Sequence, residues 1–240
     1  VDDVKLPGML HACFVRSPHG HARIRGIDAA AAKALPGVHA VFTADDMPAP
    51  MAAERMPMLV PNPAISAALT QHCLAREEVC YVGQTVAVVI ADSRHIAEDA
   101  AALVDVDYDP LKAVSDCREA LKDGSPRAHL ALDTNIASKF RMAYGDVDAA
   151  FASAAHVFSE DIWQHRGGGM AMEARAVIAQ PDPLSGLLTV WSATQTPHIG
   201  RRMMADLLDR GLESIRVIAP DVGGGFGPKA IFYAEGAVIP

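Results

Sequence analysis

"YVGQTVAVVIADSRHIAEDAAALVDVDYDP", residues 81–110, carries three successive secondary-structure patterns in thirty residues. Its first part, residues 81–92, is β-branched and nearly all apolar, the pattern of a strand buried on both faces. Gly83 reads as a bulge within it. Residues 93–104 then place Ile96, Ala97, Ala100 and Val104 on one stripe, which predicts a helix with a single core-facing side. Val104, Val106 and Tyr108 alternate with aspartates until Pro110 intervenes, as in a half-exposed strand. Strand, helix and strand in this order predict an α+β unit with a core of its own.

Working upstream, "MLHACFVRS" (residues 9–17) reads as a strand. In "IDAAAAKALPGV", Asp28 is expected to cap an alanine-rich helix that stops at Pro36-Gly37. "VHAVFTADD" (residues 38–46) reads as a second strand. Residues 47–70 are rich in Pro, Met and Ala and predict a long irregular excursion. Residues 1–115 thus form one compact unit. Residues 116–138, with one helical turn and a Gly-Ser-Pro break, form a connector.

Downstream, a second unit covers residues 139–240. "SKFRMAYGD" (residues 138–146) and "AHVFSEDIWQH" (residues 155–165) read as strands around a short helix capped by Asp146 and ending at Ser153. "EARAVIAQ" and "LLTVWSATQ" flank the turn "PDPLSG" and predict a hairpin. "TPHIGRRMMADLLDRG" reads as a helix with Thr196 at the N-cap, Pro197 at the first position and Gly211 just past the end. "SIRVIAP" is a strand, and "AEGAVIP" looks like an apolar helix with nothing after it to pack against. This unit is expected to stay open until more chain or another subunit completes it.

Composition narrows the classes of function. Half of the 240 residues are apolar, enough for a sizeable core. Acidic residues outnumber basic ones, 29 to 21, for a net charge of −8, which weighs against nucleic acid or an anionic membrane as partner. No apolar run approaches the ~20 residues of a membrane span. The opening residues lack the charged and apolar regions of a signal peptide, so a cytoplasmic location is expected. A chain that opens without an initiator Met reads as a piece of a longer one. Cys13, Cys73, Cys80 and Cys117 form no C-x-x-C pair and are expected to be free thiols in a reducing compartment.

Two loops have the character of ligand contacts. "APDVGGGFGPK" (residues 219–229) follows a strand but fits neither a Walker A loop nor a dinucleotide fingerprint, because Pro228 separates Gly227 from Lys229 and the glycines are spaced G-x-G-x-G. Its consecutive N–H groups could form a nest for an anionic oxygen; the alternative is a loose turn. "SATQTPH" (residues 192–198) puts Gln195 at a strand end beside a helix N-terminus, where its amide could donate to an oxo group; the alternative is a polar turn. His19 and His21, beside Arg16 and Arg23, read as a solvated loop. "HRGGGMAME" (residues 165–173) carries a second glycine run that borders a pocket or bends a strand. Glu173 and Arg175, two apart on one strand face, read as a structural ion pair with their neighbours.

Together these stretches carry a resemblance. "LHACFVRSPHGHARI", the 81–110 segment with its continuation to Val114, "MEARAVIAQPDP", "LTVWSATQTPH" and "IRVIAPDVGGGFGPK" are similar, in this order, to the molybdenum-binding large subunit of the xanthine dehydrogenase/aldehyde oxidase family, in its carbon monoxide dehydrogenase large-chain-like branch. The resemblance implies an α+β fold: an α/β hammerhead domain at 1–115, the connector at 116–138, and at 139–240 the incomplete start of the first molybdopterin-binding domain. It implies cofactor contacts at Gln195, Gly225, Phe226 and Gly227, with Gln195 and Phe226 near molybdenum without ligating it.

The resemblance further implies molybdopterin cytosine dinucleotide as cofactor, with a [2Fe-2S] cluster and FAD on partner small and medium subunits. The implied reaction is hydroxylation of a small molecule with oxygen from water. The family's catalytic glutamate corresponds to a position beyond residue 240, so no catalytic residue is expected here. The chain alone is expected to be inactive and to bind no cofactor. Two positions depart from the family pattern. Ala174 stands where a proline is usual, and Ala230 stands where purine-oxidising members carry a substrate-binding glutamate. The second departure points to CO, an aldehyde or a heteroaromatic carbon as substrate. A reading of another class is a non-catalytic scaffold or split-subunit piece that only assembles with partner subunits.

Overall fold

The computed structural model describes residues 1–58, 62–65 and 70–240. Part of the expected excursion, residues 59–61 and 66–69, lies outside the described residues. In chain order the elements are β1 (His11–Arg16), β2 (Ala22–Asp28), α1 (Ala30–Lys33), β3 (Val38–Phe42), β4 (Glu78–Val79), β5 (Thr85–Ala91), α2 (Arg94–Ala102), β6 (Asp105–Pro110), α3 (Cys117–Ala120), α4 (Val147–Ser153), β7 (Val177–Pro181), β8 (Leu188–Ser192), α5 (Pro197–Leu208), β9 (Ile215–Ile218) and α6 (Ala234–Val238).

The strand expected in residues 81–92 is β5, and it is the centre of the first half. β1 and β3 pair antiparallel to its two edges. Because both edges and both faces are covered, nearly every β5 side chain is buried. α2 starts where the Ser93 hydroxyl accepts the Ile96 N–H at 3.3 Å. It lays Ala97 and Ala100 onto the sheet, closing a core with Ala32, Val41, Val89 and Val104. Gly83 is not a bulge. It has φ +91° in the turn before β5 and donates to Ser17 O at 2.8 Å, while the register shifts of this sheet lie at Val15/Arg16 and Val38/Ala40.

A second sheet, in the order β4-β2-β6, was half hidden in the sequence. β2 begins in the segment expected to be a solvated loop, yet His21 is buried. Its alternation of Ala22 and Ile24 against Arg23 and Arg25 is broken by a register shift between Ile24 and Gly26, which masks the period of two. Asp28 ends this strand and accepts the Ala30 N–H at 2.9 Å, so the alanine-rich helix is only the single turn α1.

In the second half, β7 and β8 form the expected hairpin, and α5 carries the chain from β8 to a parallel β9. Leu188, Val190, Met204, Ala205 and Ile215 form the core between helix and sheet. Pro197 is the first residue of α5 as read, but the helix ends differently. Asp209, with φ +50°, takes the left-handed position expected of Gly211, a conformation its short polar side chain tolerates. Asp146 caps α4 as expected by accepting the Ala149 N–H at 3.0 Å.

Two expectations fail here. Residues 139–146 and 155–165 are not strands; Phe140, Tyr144, Phe158 and Ile162 are exposed. A strand needs a partner edge for its N–H and C=O groups. Among the described residues the single pairing near this segment is a bridge between Ile65 and Ser138. Conversely, α6 does find a partner. Ala234 and Ala237 are buried against Leu207 of α5 and against Met51, Met56 and Cys73 of the first half, and Val238 packs on Ala44, Leu74 and Val88. The two halves therefore share core. No helix among the described residues is long and apolar enough to cross a membrane.

Candidate functional site

β8 and β9 run parallel and adjacent, so the loops that follow them emerge side by side. Such a paired strand end is where open α/β sheets tend to hold ligands. The loop after β8 carries Gln195; the loop after β9 carries the four glycines. Their backbones are zipped together: Gln195 N–H and Thr194 Oγ1 both donate to Lys229 O, at 3.0 and 3.2 Å, and Thr196 Oγ1 donates to Ala230 O at 3.0 Å. Thr196 thus spends its hydroxyl on the glycine loop rather than on capping α5.

The Gly227 N–H donates to Gln195 Oε1 at 3.0 Å. This contact fixes the orientation of the amide. Its oxygen is engaged, and among the described residues its Nε2 has no acceptor and stays available as a donor. The N–H groups of Gly225 and Phe226 likewise meet no acceptor among the described residues. The loop therefore offers several neutral donors at one place. The donor set suits an oxo or phosphate-type oxygen. Residues 223–227 and Gln195 supply no carboxylate, thiolate or imidazole to ligate a metal directly.

The glycines follow from this geometry. A Cβ on Gly223 would lie 2.6 Å from Glu173 Cβ, and one on Gly225 would fall on the Gln195 side chain. Gly224 and Gly227 have φ of +93° and +96°, which L side chains rarely adopt. Two glycines thus permit close approach and two permit the turn. Phe226 sits between them at φ +51°, an uncommon position for a bulky residue, and the residue is 73 % exposed. A Cβ on Gly169 would lie 2.6 Å from Phe226 Cβ, so the second glycine run passes directly against this residue.

Glu173 and Arg175 do not share a strand face, since β7 begins only at Val177. Glu173 Oε2 accepts from Lys229 Nζ at 2.7 Å and from the Gly223 N–H at 2.9 Å. The Lys229 hydrogen bond, followed by that of Gly223, pulls its carboxyl down to about 2. Lys229 is only 3 % exposed, although it is a lysine. Arg175 lies over the Tyr233 ring, 3.7 Å from its centroid, and reaches Glu235 at 3.5 Å. An open cleft of about 1200 Å³ between β1 and β7 is lined by Glu173, Arg175, Lys229 and Glu235, whereas Gln195 and Phe226 lie off its wall.

One cluster escaped the sequence reading. His21 Nε2 is 2.9 Å from Glu78 Oε2, whose carboxylate also accepts the Leu130 N–H, and Cys80 Sγ is 3.3 Å from His129 Nδ1. Burial pushes the Cys80 thiol up to about 12, so it stays protonated at neutral pH. These contacts pin His129 and Leu130 beside the sheet of β2 and β4. The signal available was the buried pattern of β2, which its register shift obscures.

The fold and the paired loops define a class. Residues 1–112 match the family model "aldehyde oxidase and xanthine dehydrogenase, a/b hammerhead domain", and residues 128–240 match "molybdopterin cofactor-binding domain". The chain belongs to the aldehyde oxidase/xanthine dehydrogenase family, as the counterpart of the N-terminal portion of its molybdenum-binding large subunit. It is 38 % identical to the nicotine 6-hydroxylase large subunit of Paenarthrobacter nicotinovorans, covering 100 % of this chain and 29 % of that protein. It is 42 % identical to the carbon monoxide dehydrogenase large chain of Afipia carboxidovorans, covering 98 % and 30 %. The crystal structure of quinoline 2-oxidoreductase from Pseudomonas putida 86 superposes with a TM-score of 0.88 at 38 % identity, over 99 % of this chain and 30 % of that one. The chain thus spans about 30 % of the length of these relatives.

Proposed function

We propose that this chain belongs to the catalytic subunit of a molybdenum hydroxylase, and that Gln195, Gly225, Phe226 and Gly227 contact its cofactor. The observation that carries this reading is the Gly227 N–H to Gln195 Oε1 bond, which leaves the Gln195 Nε2 as a fixed donor beside the free N–H groups of Gly225 and Phe226. Preorganised donors of this kind stabilise charge that develops on an oxygen in the transition state, and they need no reorganisation to do so.

When bound, a molybdenum–molybdopterin group, in its cytosine dinucleotide form, supplies a two-electron oxidation in which a carbon gains oxygen from water and two protons are released. The electrons leave through a [2Fe-2S] cluster on a small subunit and FAD on a medium subunit. The residues of this chain orient and donate; none of them serves as the general base. Substrates of this class are CO, an aldehyde or a heteroaromatic carbon. Ala230 offers no carboxylate to a purine, which favours those classes over xanthine. A cytoplasmic location goes with this reading.

The test is Gln195→Ala in the assembled enzyme, with molybdenum content and turnover measured on the same sample. The expected result is retained molybdenum with turnover reduced about a hundredfold, as for loss of one oxyanion-type donor. Full occupancy with near-normal turnover would return Gln195 to a polar turn residue.

A further inference from the structure

The Glu173–Lys229 pair closes the glycine loop at both ends. Glu173 Oε2 holds the first glycine through the Gly223 N–H at 2.9 Å and the last residue of the loop through Lys229 Nζ at 2.7 Å. The Glu173 N–H also donates to Gly223 O at 3.3 Å, so the contact to Gly223 runs in both directions. On the far side, Lys229 O receives the Gln195 N–H and the Thr194 hydroxyl. Lys229 therefore joins two networks: its side chain ties the loop to Glu173, and its carbonyl ties the loop to the segment that carries Gln195.

From this arrangement we infer that Glu173 and Lys229 are positioning residues that clamp the two ends of the glycine loop and so set Gln195 against Gly227; the role rests on the proposed cofactor contact at that loop. Three features favour it over an ordinary ion pair. The ammonium is almost fully buried, which is costly for lysine unless the partner is held in place. One carboxylate oxygen takes both loop ends, so loss of either end loosens the other. Gly223 and Gly225, where an added Cβ would lie under 3.0 Å from a neighbouring side chain, meet Glu173 and Gln195 in that order. The loop is thus built to fit both partners at once.

The experiment uses the assembled enzyme carrying Glu173→Gln, Lys229→Met, or both, with Gln195→Ala alongside. Amide hydrogen exchange at Gly227 and Gln195 reads the clamp directly, and the Mo(V) electron paramagnetic resonance spectrum reads the metal environment. Each single variant is expected to speed exchange at Gly227 by about tenfold, because the loop opens locally without global unfolding. The spectrum should shift in the same direction as with Gln195→Ala. The double variant, which leaves no unpaired buried charge, should recover melting temperature but not the slow exchange. If a single variant does not assemble, Glu173→Asp, which keeps the charge but shortens the reach to Gly223, takes its place. Unchanged exchange at Gly227 in the variants overturns the clamp whatever the spectrum does. An unchanged spectrum in Gln195→Ala overturns the cofactor reading instead, and the exchange result then still stands on its own.

Discussion

Gln195 and Gly227 lie 32 positions apart and meet through one hydrogen bond, the glycine N–H to the amide oxygen at 3.0 Å. α5, a short 3-10 turn at Leu212–Ser214 and β9 separate them in the chain, and the parallel pairing of β8 with β9 brings their loops together. The bond decides which end of the glutamine is free.

Gly225→Ala tests that relationship sterically. The added Cβ falls on the Gln195 side chain, so the amide must move. Gly227→Ala meets open space and carries only the strain of φ +96°. In the assembled enzyme, Gly225→Ala is expected to match Gln195→Ala in lost turnover, about a hundredfold, with a fold cost of about 1–3 kcal/mol from overpacking. Gly227→Ala should cost stability with a smaller loss of turnover per unit of stability. Steady-state turnover beside a thermal melt separates the two, and equal turnover in Gly225→Ala and wild type would refute the steric argument.

Acid should release the loop. The Glu173 carboxyl is held at about 2, below the usual 4.5, by Lys229 and then by the Gly223 N–H. A depressed carboxylate contributes stability that is complete above the unfolded-state pKa and is lost as pH falls toward the folded value. The window is therefore between about 4.5 and about 2. Near-neutral changes should leave the loop unaffected. Exchange at Gly227, followed from pH 7 downward and corrected for intrinsic rates, should accelerate only inside that window in the parent chain. In Glu173→Gln the acceleration should already be present at pH 7.

What was legible in the sequence follows from where the stabilising contacts lie. β5 could be read because it is an unbroken β-branched, apolar run, and α2 because its apolar positions recur at helical spacing, so neither needs its distant partners to be recognised. Gln195 and residues 225–227 could be singled out as loops, yet only a resemblance joined them, since their pairing depends on β8 and β9 lying side by side. β2 was missed because a register shift breaks its alternation. Residues 139–146 and 155–165 carry strand-like patterns but no edge to pair with among the described residues, so pattern alone misleads there. The fate of α6 was invisible for the converse reason: its partners Met51, Met56 and Cys73 lie far upstream in a stretch without periodicity.

Thiol reactivity should rank the four cysteines. Cys117 is exposed, whereas burial raises Cys73 to about 11 and Cys80 to about 12, and raises Cys13 as well. Only the thiolate attacks a disulfide reagent. In the native chain at pH 8, Cys117 is expected to react first, with Cys73 and Cys80 resistant until denaturant is added. Mass mapping of labelled peptides checks the order; early labelling of Cys80 would mean that its burial does not hold in solution.

The last prediction concerns how much of the first half stands alone. Two of its core clusters, one around Val89 and Ala100 and one around Val79 and Val86, are drawn entirely from residues up to Tyr108. Two others are not, because Met51, Met56 and Cys73 pack on Leu207, Ala234 and Ala237, and Leu74 and Val88 meet Val238. Cutting the chain after Asp116 leaves the first pair of clusters intact and uncovers the second. Buried apolar area is worth roughly 25 cal/mol per Å², so uncovering several large side chains costs stability without removing the sheet around β5. Residues 1–116 are therefore expected to melt cooperatively, at a lower midpoint than the 240-residue chain, and to bind a hydrophobic dye at the Met51–Met56 face. Circular dichroism melts of the two chains, with dye fluorescence, decide it. A non-cooperative melt would mean that β5 and α2 cannot hold a core without α6, and an unchanged midpoint would mean that α6 contributes nothing to the first half.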